Sequence, residues 1–254
     1  VTQNIYDDET FFAGYSRLPR SVDGLDGAPE WPALRALLPD LAGLRVLDLG
    51  CGFGWFCRWA RAHGAARVSG IDVSARMLAR AESETQDAAI SYLRADLEDV
   101  ELPPGSFELA YSSLALHYVR NLEALMARVH AALVPRGKLV FSVEHPIFTA
   151  PANPGWSVDA EGRRTWPVDG YLDEGPRTTE WLTPGVVKQH RTIATYLNLL
   201  LRSGFALSHI DEWGPTEEQI AAQPRWADER QRPPFLIVAC SRRAPGRVAH
   251  RSQH

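Results

Sequence analysis

The chain has 254 residues, a formal net charge of −4 and a pI near 6.1, so it lacks the basic excess of a broad nucleic-acid surface. Hydrophobic residues make up 45% and charged residues 23%, an ordinary globular balance that suits one good-sized domain with an insertion or at most two small ones. No apolar run approaches the ~20 residues of a membrane span, Val1 to Tyr15 is too acidic for a signal peptide, and three cysteines make no disulfide framework, so the chain reads as cytoplasmic.

Residues 1–43 precede the first core strand. Ile5, Tyr6, Phe11, Phe12, Tyr15 and Leu18 form a dense apolar and aromatic set, closing with Arg17 and Arg20. Two readings stand: a helical cover packed on a sheet, or a lid whose tyrosines or arginine touch a ligand. Pro29, Trp31 and Pro32 open a short helix through Leu38, which Pro39 ends.

Val46 to Leu49 is a short apolar strand carrying Asp48, and it runs directly into Gly50-Cys51-Gly52-Phe53-Gly54. Trp55 to His63 follows as a helix with Phe56, Trp59 and Ala60 on one apolar face. Glycines at 50 and 52 let a backbone approach a ligand closely. Such a strand-loop-helix belongs at the carboxyl edge of a parallel sheet, where open α/β folds bind ligands. A dinucleotide G-x-G-x-x-G fails because Trp55 stands at the third glycine, and no G-x-x-x-x-G-K-[ST] phosphate loop exists. The remaining pattern, acid-x-G-x-G-x-G, resembles motif I of the class I S-adenosylmethionine (SAM)-dependent methyltransferases. The resemblance implies that Gly50, Cys51 and Gly52 make room for the methionine part of SAM and that Asp48 orients its amino end. It also implies a lid over the cofactor in which Tyr6, Tyr15 and Arg20 are the contact candidates.

The second strand, Arg67 to Asp72, ends in a carboxylate able to accept hydrogen bonds from both ribose hydroxyls. Asp72 and the adjoining Val73 are therefore cofactor candidates. Ser74 caps a helix bearing Met77, Leu78 and Ala81, with Met77 either near the adenine or in the core. The third strand, Ile90 to Arg94, leads to Asp96 and Leu97. The resemblance implies that the Asp96 carboxylate meets the adenine amino group and the Leu97 N–H a ring nitrogen; the alternative is that Asp96 caps a turn.

Pro103 to Ser106 signals a turn into the fourth strand, Phe107 to Ser112. In the family this corner passes beside the transferable methyl group, which makes Ser112, His117 and Tyr118 pocket candidates. Asn121 caps a helix through Leu133 that ends in Pro135-Arg136-Gly137, similar to the family's L-x-P-G-G turn with Arg136 in place of a glycine. The fifth strand, Lys138 to Val143, delivers Glu144 and His145. With His117 and His190 they are the general-base candidates. Glu144 suits equally a carboxylate paired to an arginine.

From 147 to 187 proline, glycine and tryptophan dominate without clear periodicity, which is too long for an ordinary connection and predicts an inserted substrate cap. Its tryptophans line a pocket or form the cap's own small core. Lys188 to Thr192 is expected to start the last long helix, Thr192 to Ser203, which Gly204 stops. Phe205 to Asp211 is the sixth strand, Glu217 to Arg230 a charged surface helix and Phe235 to Ser241 the seventh strand. Residues 242–254 read as a disordered, solvated tail.

The resemblance implies an α/β, Rossmann-like class I methyltransferase fold. Its sheet is seven-stranded and mostly parallel with an antiparallel last strand, and helices cover both faces. The expected divisions are a lid over 1–43, a SAM-binding domain over 44–241 with the cap at 147–187, and the tail. The expected activity is transfer of the SAM methyl group to an O or N nucleophile of a small molecule, leaving S-adenosylhomocysteine. No D-P-P-Y-type motif follows the fourth strand, which counts against nucleic-acid N-methylation, and no metal-ligand cluster stands out. No nucleic-acid or membrane partner is expected. A methyltransferase acting on RNA or protein, and a SAM-binding protein without transfer activity, are the competing readings.

Overall fold

The computed structural model describes residues 3–244. After a 3-10 turn at Ile5–Asp7 come α1 (Glu9–Tyr15), α2 (Pro19–Val22) and α3 (Trp31–Leu37). The alternating core is β1 (Arg45–Leu49), α4 (Trp55–Ala62), β2 (Arg67–Asp72), α5 (Ala75–Ser83), β3 (Ile90–Arg94), β4 (Phe107–Ser113), α6 (Leu122–Ala132) and β5 (Leu133–Glu144). Then follow α7 (Pro146–Thr149), β6 (Ser157–Val158), β7 (Arg164–Thr165), β8 (Gly175–Trp181) and β9 (Thr183–His190). The chain closes with α8 (Ile193–Arg202), β10 (Phe205–Trp213), α9 (Glu217–Ala222) and β11 (Phe235–Arg242).

Seven strands form one sheet in the order β10-β11-β5-β4-β1-β2-β3. β11 is antiparallel to both neighbours and the other pairs are parallel. This is the Rossmann-like methyltransferase architecture that the resemblance implies. Strand order reverses between β4 and β1, so the crevice at their carboxyl ends is the natural ligand site of such a sheet.

Side chains alternate across each strand. In β1, Leu47 and Leu49 join one core layer with Leu125, Met126, Phe141 and Leu200, while Val46 joins the opposite layer with Trp31, Phe56, Cys57 and Tyr111. Polar caps set the helix starts: Ser74, Asn121 and Thr192 accept from the backbone N–H of Met77, Ala124 and Thr195.

Four expectations need correction. β5 begins at Leu133 and incorporates Pro135-Arg136-Gly137 as an irregularity in its pairing with β4, with Arg136 at φ 68°. Lys188 to His190 belongs to β9, because pairing with β8 satisfies its backbone, and the helix starts only after the Thr192 cap. The charged stretch at 217–230 is not one helix: α9 stops before Pro224 and a 3-10 segment, Pro224–Arg230, follows. Arg242 is the last residue of β11 and donates to the Ala131 and Leu133 carbonyls, so the sheet extends into the expected tail; residues 245–254 of that tail lie outside the described residues.

The stretch expected to lack periodicity holds two antiparallel hairpins, β6–β7 and β8–β9. The second hairpin is fastened to the N-terminal segment. Gln3 Nε2 donates to the Gly185 carbonyl at 2.8 Å and Gln3 Oε1 accepts from Val187 N at 2.9 Å. Phe11 and Tyr15 pack edge-on against Trp181 at 5.3 and 6.2 Å between ring centroids.

Candidate active site

A cavity of about 320 Å³ opens at the carboxyl ends of β1, β2, β4 and β5. Gly50 and Gly52 enter it from the loop after β1, Asp72, Val73 and Met77 from the β2–α5 corner, and Asp96 and Leu97 from the loop after β3. Ser113, Leu114, Ala115, His117 and Tyr118 follow β4, and Glu144 and Phe148 follow β5. Tyr6, Tyr15 and Arg20 from the N-terminal segment and Trp181 from β8 also line it. Glu229, Arg232, Pro234 and Phe235 line it from the approach to β11.

The glycine loop is held open by its backbone. Gly50 has φ 78°, and a Cβ there would fall 2.3 Å from that of Ala115. Gly52 has φ 52°, and a Cβ there would meet nothing within 4 Å. Asp72 anchors this corner: Oδ2 accepts from Gly52 N and Oδ1 from Ser74 N, each at 2.9 Å. Burial raises the Asp72 pKa against the lowering effect of these bonds. Arg20 is clamped by the fully buried Glu30 through two bonds of 3.0 and 3.2 Å. Tyr6 donates to the Tyr118 hydroxyl at 3.3 Å, and both residues line the cavity.

Glu144 carries the main electrostatic feature. Its Oε1 lies 2.5 Å from Lys188 Nζ, while Oε2 is shielded from solvent and has no hydrogen-bond partner among the described residues. Burial pushes its pKa up, but Lys188 and His117 outweigh that and hold it below the usual carboxylate range. Lys188 is itself buried, 4.9 Å from the centre of the Trp181 ring. His117 is pushed down to about 4, mainly by burial, and is neutral at pH 7. Its Nδ1 accepts the Glu144 backbone N–H at 3.4 Å, which leaves the ring proton on Nε2.

Five of the residues singled out from the sequence do not line this cavity. Asp48 sits on the alternate face of β1 from Leu47 and Leu49, so its carboxylate meets Cys57 Sγ at 3.3 Å beneath the loop, where burial raises its pKa to about 7. Cys51 lines a smaller neighbouring hollow that Asp48 shares. Ser112 is wholly buried and donates to the Leu49 carbonyl at 2.7 Å; Ser113, one position on, takes the place at the cavity. His145 turns away to Glu212 at 2.9 Å and accepts from Ile147 N at 3.0 Å. His190 is spent on Thr149 Oγ1 and the Tyr171 carbonyl, both at 2.9 Å.

Lys188, Phe148, Arg232, Glu229 and Phe235 were not singled out. For the last three a signal existed. An antiparallel seventh strand starts where the parallel strands finish, and Phe235 indeed pairs with Glu144. Residues just before such a strand therefore stand at the ligand edge. Nothing local in the sequence pairs Lys188 with Glu144.

The cavity's residues suit the cofactor that the resemblance implies: a loop with space beside Gly52, a carboxylate at the end of β2 and a carboxylate-bearing loop after β3. The profile described as "Methyltransferase domain" matches residues 47–141. An S-adenosylmethionine-dependent methyltransferase from Mesorhizobium loti, known from its crystal structure, is 62% identical. Its alignment covers 86% of this chain and 100% of that one, with a TM-score of 0.84. An uncharacterised protein of Haemophilus influenzae is 33% identical over 92% of this chain and 95% of its own length. The malonyl-[acyl-carrier protein] O-methyltransferase of Enterobacter lignolyticus is 34% identical over 59% of this chain, and the chain spans about half of that relative, 54%. From the strand order, the glycine loop and a full-length match of this extent, the chain belongs to the SAM-dependent methyltransferases, with SAM as its cofactor.

Proposed function

We propose that the chain transfers the SAM methyl group to an oxygen or nitrogen nucleophile of a small molecule, with Glu144 as the proton acceptor. One observation carries this reading: an ionised carboxylate, one oxygen of which has no partner among the described residues, lines the same cavity as Gly50, Gly52 and Asp72. When bound, SAM supplies an electrophilic methyl on a sulfonium sulfur, so the carbon–sulfur bond breaks as the bond to the nucleophile forms and the sulfur leaves as a thioether.

In this reading Asp72 accepts the ribose hydroxyls, and Gly50 and Gly52 admit the methionine part. Val73, Met77, Asp96 and Leu97 surround the adenine, while Tyr6, Tyr15 and Arg20 close over the cofactor as a lid. Holding the acceptor in line with the methyl group contributes the largest share of the rate. Glu144 Oε2 takes the nucleophile's proton. Because Lys188 keeps Glu144 weakly basic, that proton moves together with methyl transfer rather than ahead of it. His117 serves as a donor through Nε2–H and not as a base, and the bonds made by His145 and His190 suit positioning of the site's walls.

A small acceptor fits a cavity lined by the N-terminal segment and by Trp181 of the hairpin fastened to it better than a polymer, which would favour an open groove with clustered basic residues. The Enterobacter relative is an O-methyltransferase, which supports oxygen as the nucleophile. The test is calorimetric SAM binding followed by S-adenosylhomocysteine release with panels of small molecules, RNA and proteins. Turnover with small acceptors is expected. Turnover only with RNA or protein would replace the acceptor class, and SAM binding without turnover on any panel would point to a sensor or scaffold.

A further inference from the structure

Arg232 stands just before β11, lines the cavity and is only 3% exposed. A guanidinium so deeply buried ordinarily has its donors filled. Here the assigned bond is from Nη2 to Glu229 Oε2 at 2.5 Å, while Nε and Nη1 are shielded from solvent and have no partner among the described residues. Three rings surround the group: its Cζ lies 4.1 Å from the ring centre of Trp166, 4.3 Å from Phe148 and 5.3 Å from Trp156. The rings are themselves fixed, Phe148 stacking on Trp166 at 5.7 Å and Trp166 donating to the Ile147 carbonyl at 3.0 Å.

Resting on the small-molecule reading above, we propose that Arg232 is the anion-recognition residue of the acceptor subsite and that the acceptor carries a carboxylate. The rings crowd the guanidinium, whose Nε and Nη1 donors have no partner among the described residues, and its N–H groups lie in one plane, the geometry that a planar carboxylate matches. A purely structural arginine in this position would leave buried donors unsatisfied, whereas a ligand carboxylate fills them. Arg20, the other cation lining the cavity among the described residues, is already clamped by Glu30, and Lys188 is taken by Glu144. Glu229 adds a negative charge at the Nη2 side, which favours a singly charged carboxylate over doubly charged phosphate. Arg232 and Glu144 line the same cavity, so one small molecule held at its carboxylate by the first presents its nucleophile toward the second.

The experiment uses the full chain saturated with S-adenosylhomocysteine and titrated with acetate, succinate and benzoate, each against its neutral amide, and with inorganic phosphate. Saturable binding of at least one carboxylate is expected, with no binding of its amide and weaker binding of phosphate. Arg232→Gln should weaken that carboxylate about tenfold or more, as for loss of a charge-assisted pair, with S-adenosylhomocysteine affinity unchanged. Should Arg232→Gln fail to fold, Glu229→Gln is the second variant, freeing Nη2 and tightening carboxylate binding. The proposal is overturned by the absence of carboxylate binding, by preference for phosphate, or by weaker carboxylate binding in Glu229→Gln. It is also overturned by a loss of S-adenosylhomocysteine affinity in Arg232→Gln, which would assign the arginine to the cofactor's own carboxylate. Failure of the wild-type chain to bind S-adenosylhomocysteine would instead strike the underlying methyltransferase reading of the cavity.

Discussion

Lys188 Nζ and Glu144 Oε1 lie 2.5 Å apart, joining the β8–β9 hairpin to the end of β5 at the cavity wall. Both side chains are largely removed from solvent, so neither charge is stable there alone. Replacing Lys188 with Met should cost about 3–5 kcal/mol by leaving a buried carboxylate unpaired. It should also raise the Glu144 pKa. The native pKa is depressed, so the pair's contribution is complete above the unfolded value and is lost as pH falls through the folded one. The acidic limb of the pH–rate profile should therefore move to higher pH in Lys188→Met. An unmoved limb would show that Lys188 does not set the ionisation of Glu144.

Glu144→Gln separates proton transfer from binding. The amide keeps the shape but cannot take a proton, so SAM affinity should stay near wild type while transfer slows by about 10²–10⁴, the usual share of general-base catalysis. Single-turnover rates at saturating SAM give the comparison. Wild-type turnover in this variant rejects Glu144 as the base.

Asp72 has two duties, tying Gly52 and Ser74 together and offering its carboxylate to the cavity. Asp72→Ala should weaken SAM binding by about 1.5–3 kcal/mol, the range for hydrogen bonds to a charged group. Calorimetric titration reads this directly, and unchanged affinity would remove Asp72 from the cofactor site.

The glycine loop and the parallel core were legible because their signals are local: an apolar run, a turn that only glycine tolerates, then a helical period. Asp48 illustrates the boundary of that legibility. Its place in the motif was visible, but the side it faces is set by strand alternation, which points it to Cys57 on α4 and not into the main cavity. The β8–β9 hairpin was hidden because Pro176 and Pro184 read as breakers. A two-stranded ribbon has an unpaired edge on each strand, and proline is tolerated there. The Glu144–Lys188 and Arg232–ring contacts were invisible for a different reason. They join segments far apart in the chain, and their partners are fixed only by the packing of the hairpins against β5 and β11.

Arg136 gives a stability prediction independent of catalysis. It is an exposed residue at φ 68°, a left-handed conformation in which a side chain is strained by about 1–2 kcal/mol. Arg136→Gly removes that strain but adds about 0.5–1 kcal/mol of unfolded-state entropy. A net gain of a few tenths to about 1 kcal/mol should appear as a higher denaturation midpoint in urea. A lower midpoint would mean that the arginine side chain makes a compensating interaction.

Asp7 tethers the N-terminal segment to the start of α5. Its Oδ1 accepts from Ser74 Oγ at 2.6 Å and from Arg76 N at 3.1 Å, placing a carboxylate at a helix N-terminus. Burial acts to raise its pKa, but the bonds from Ser74 and Arg76 prevail and lower it. The tether is therefore intact above the unfolded value near ~3.9 and is lost as pH falls through the lower folded value. At neutral pH, Asp7→Asn removes the charge and should loosen the segment by about 0.5–2 kcal/mol, the scale of a lost helix cap. Hydrogen exchange should then quicken across residues 5–15 while the sheet amides keep their protection. If the segment closes over SAM, cofactor affinity should fall in parallel. Faster exchange with unchanged SAM affinity would leave Asp7 as a tether but reject the lid role, and unchanged exchange would reject both.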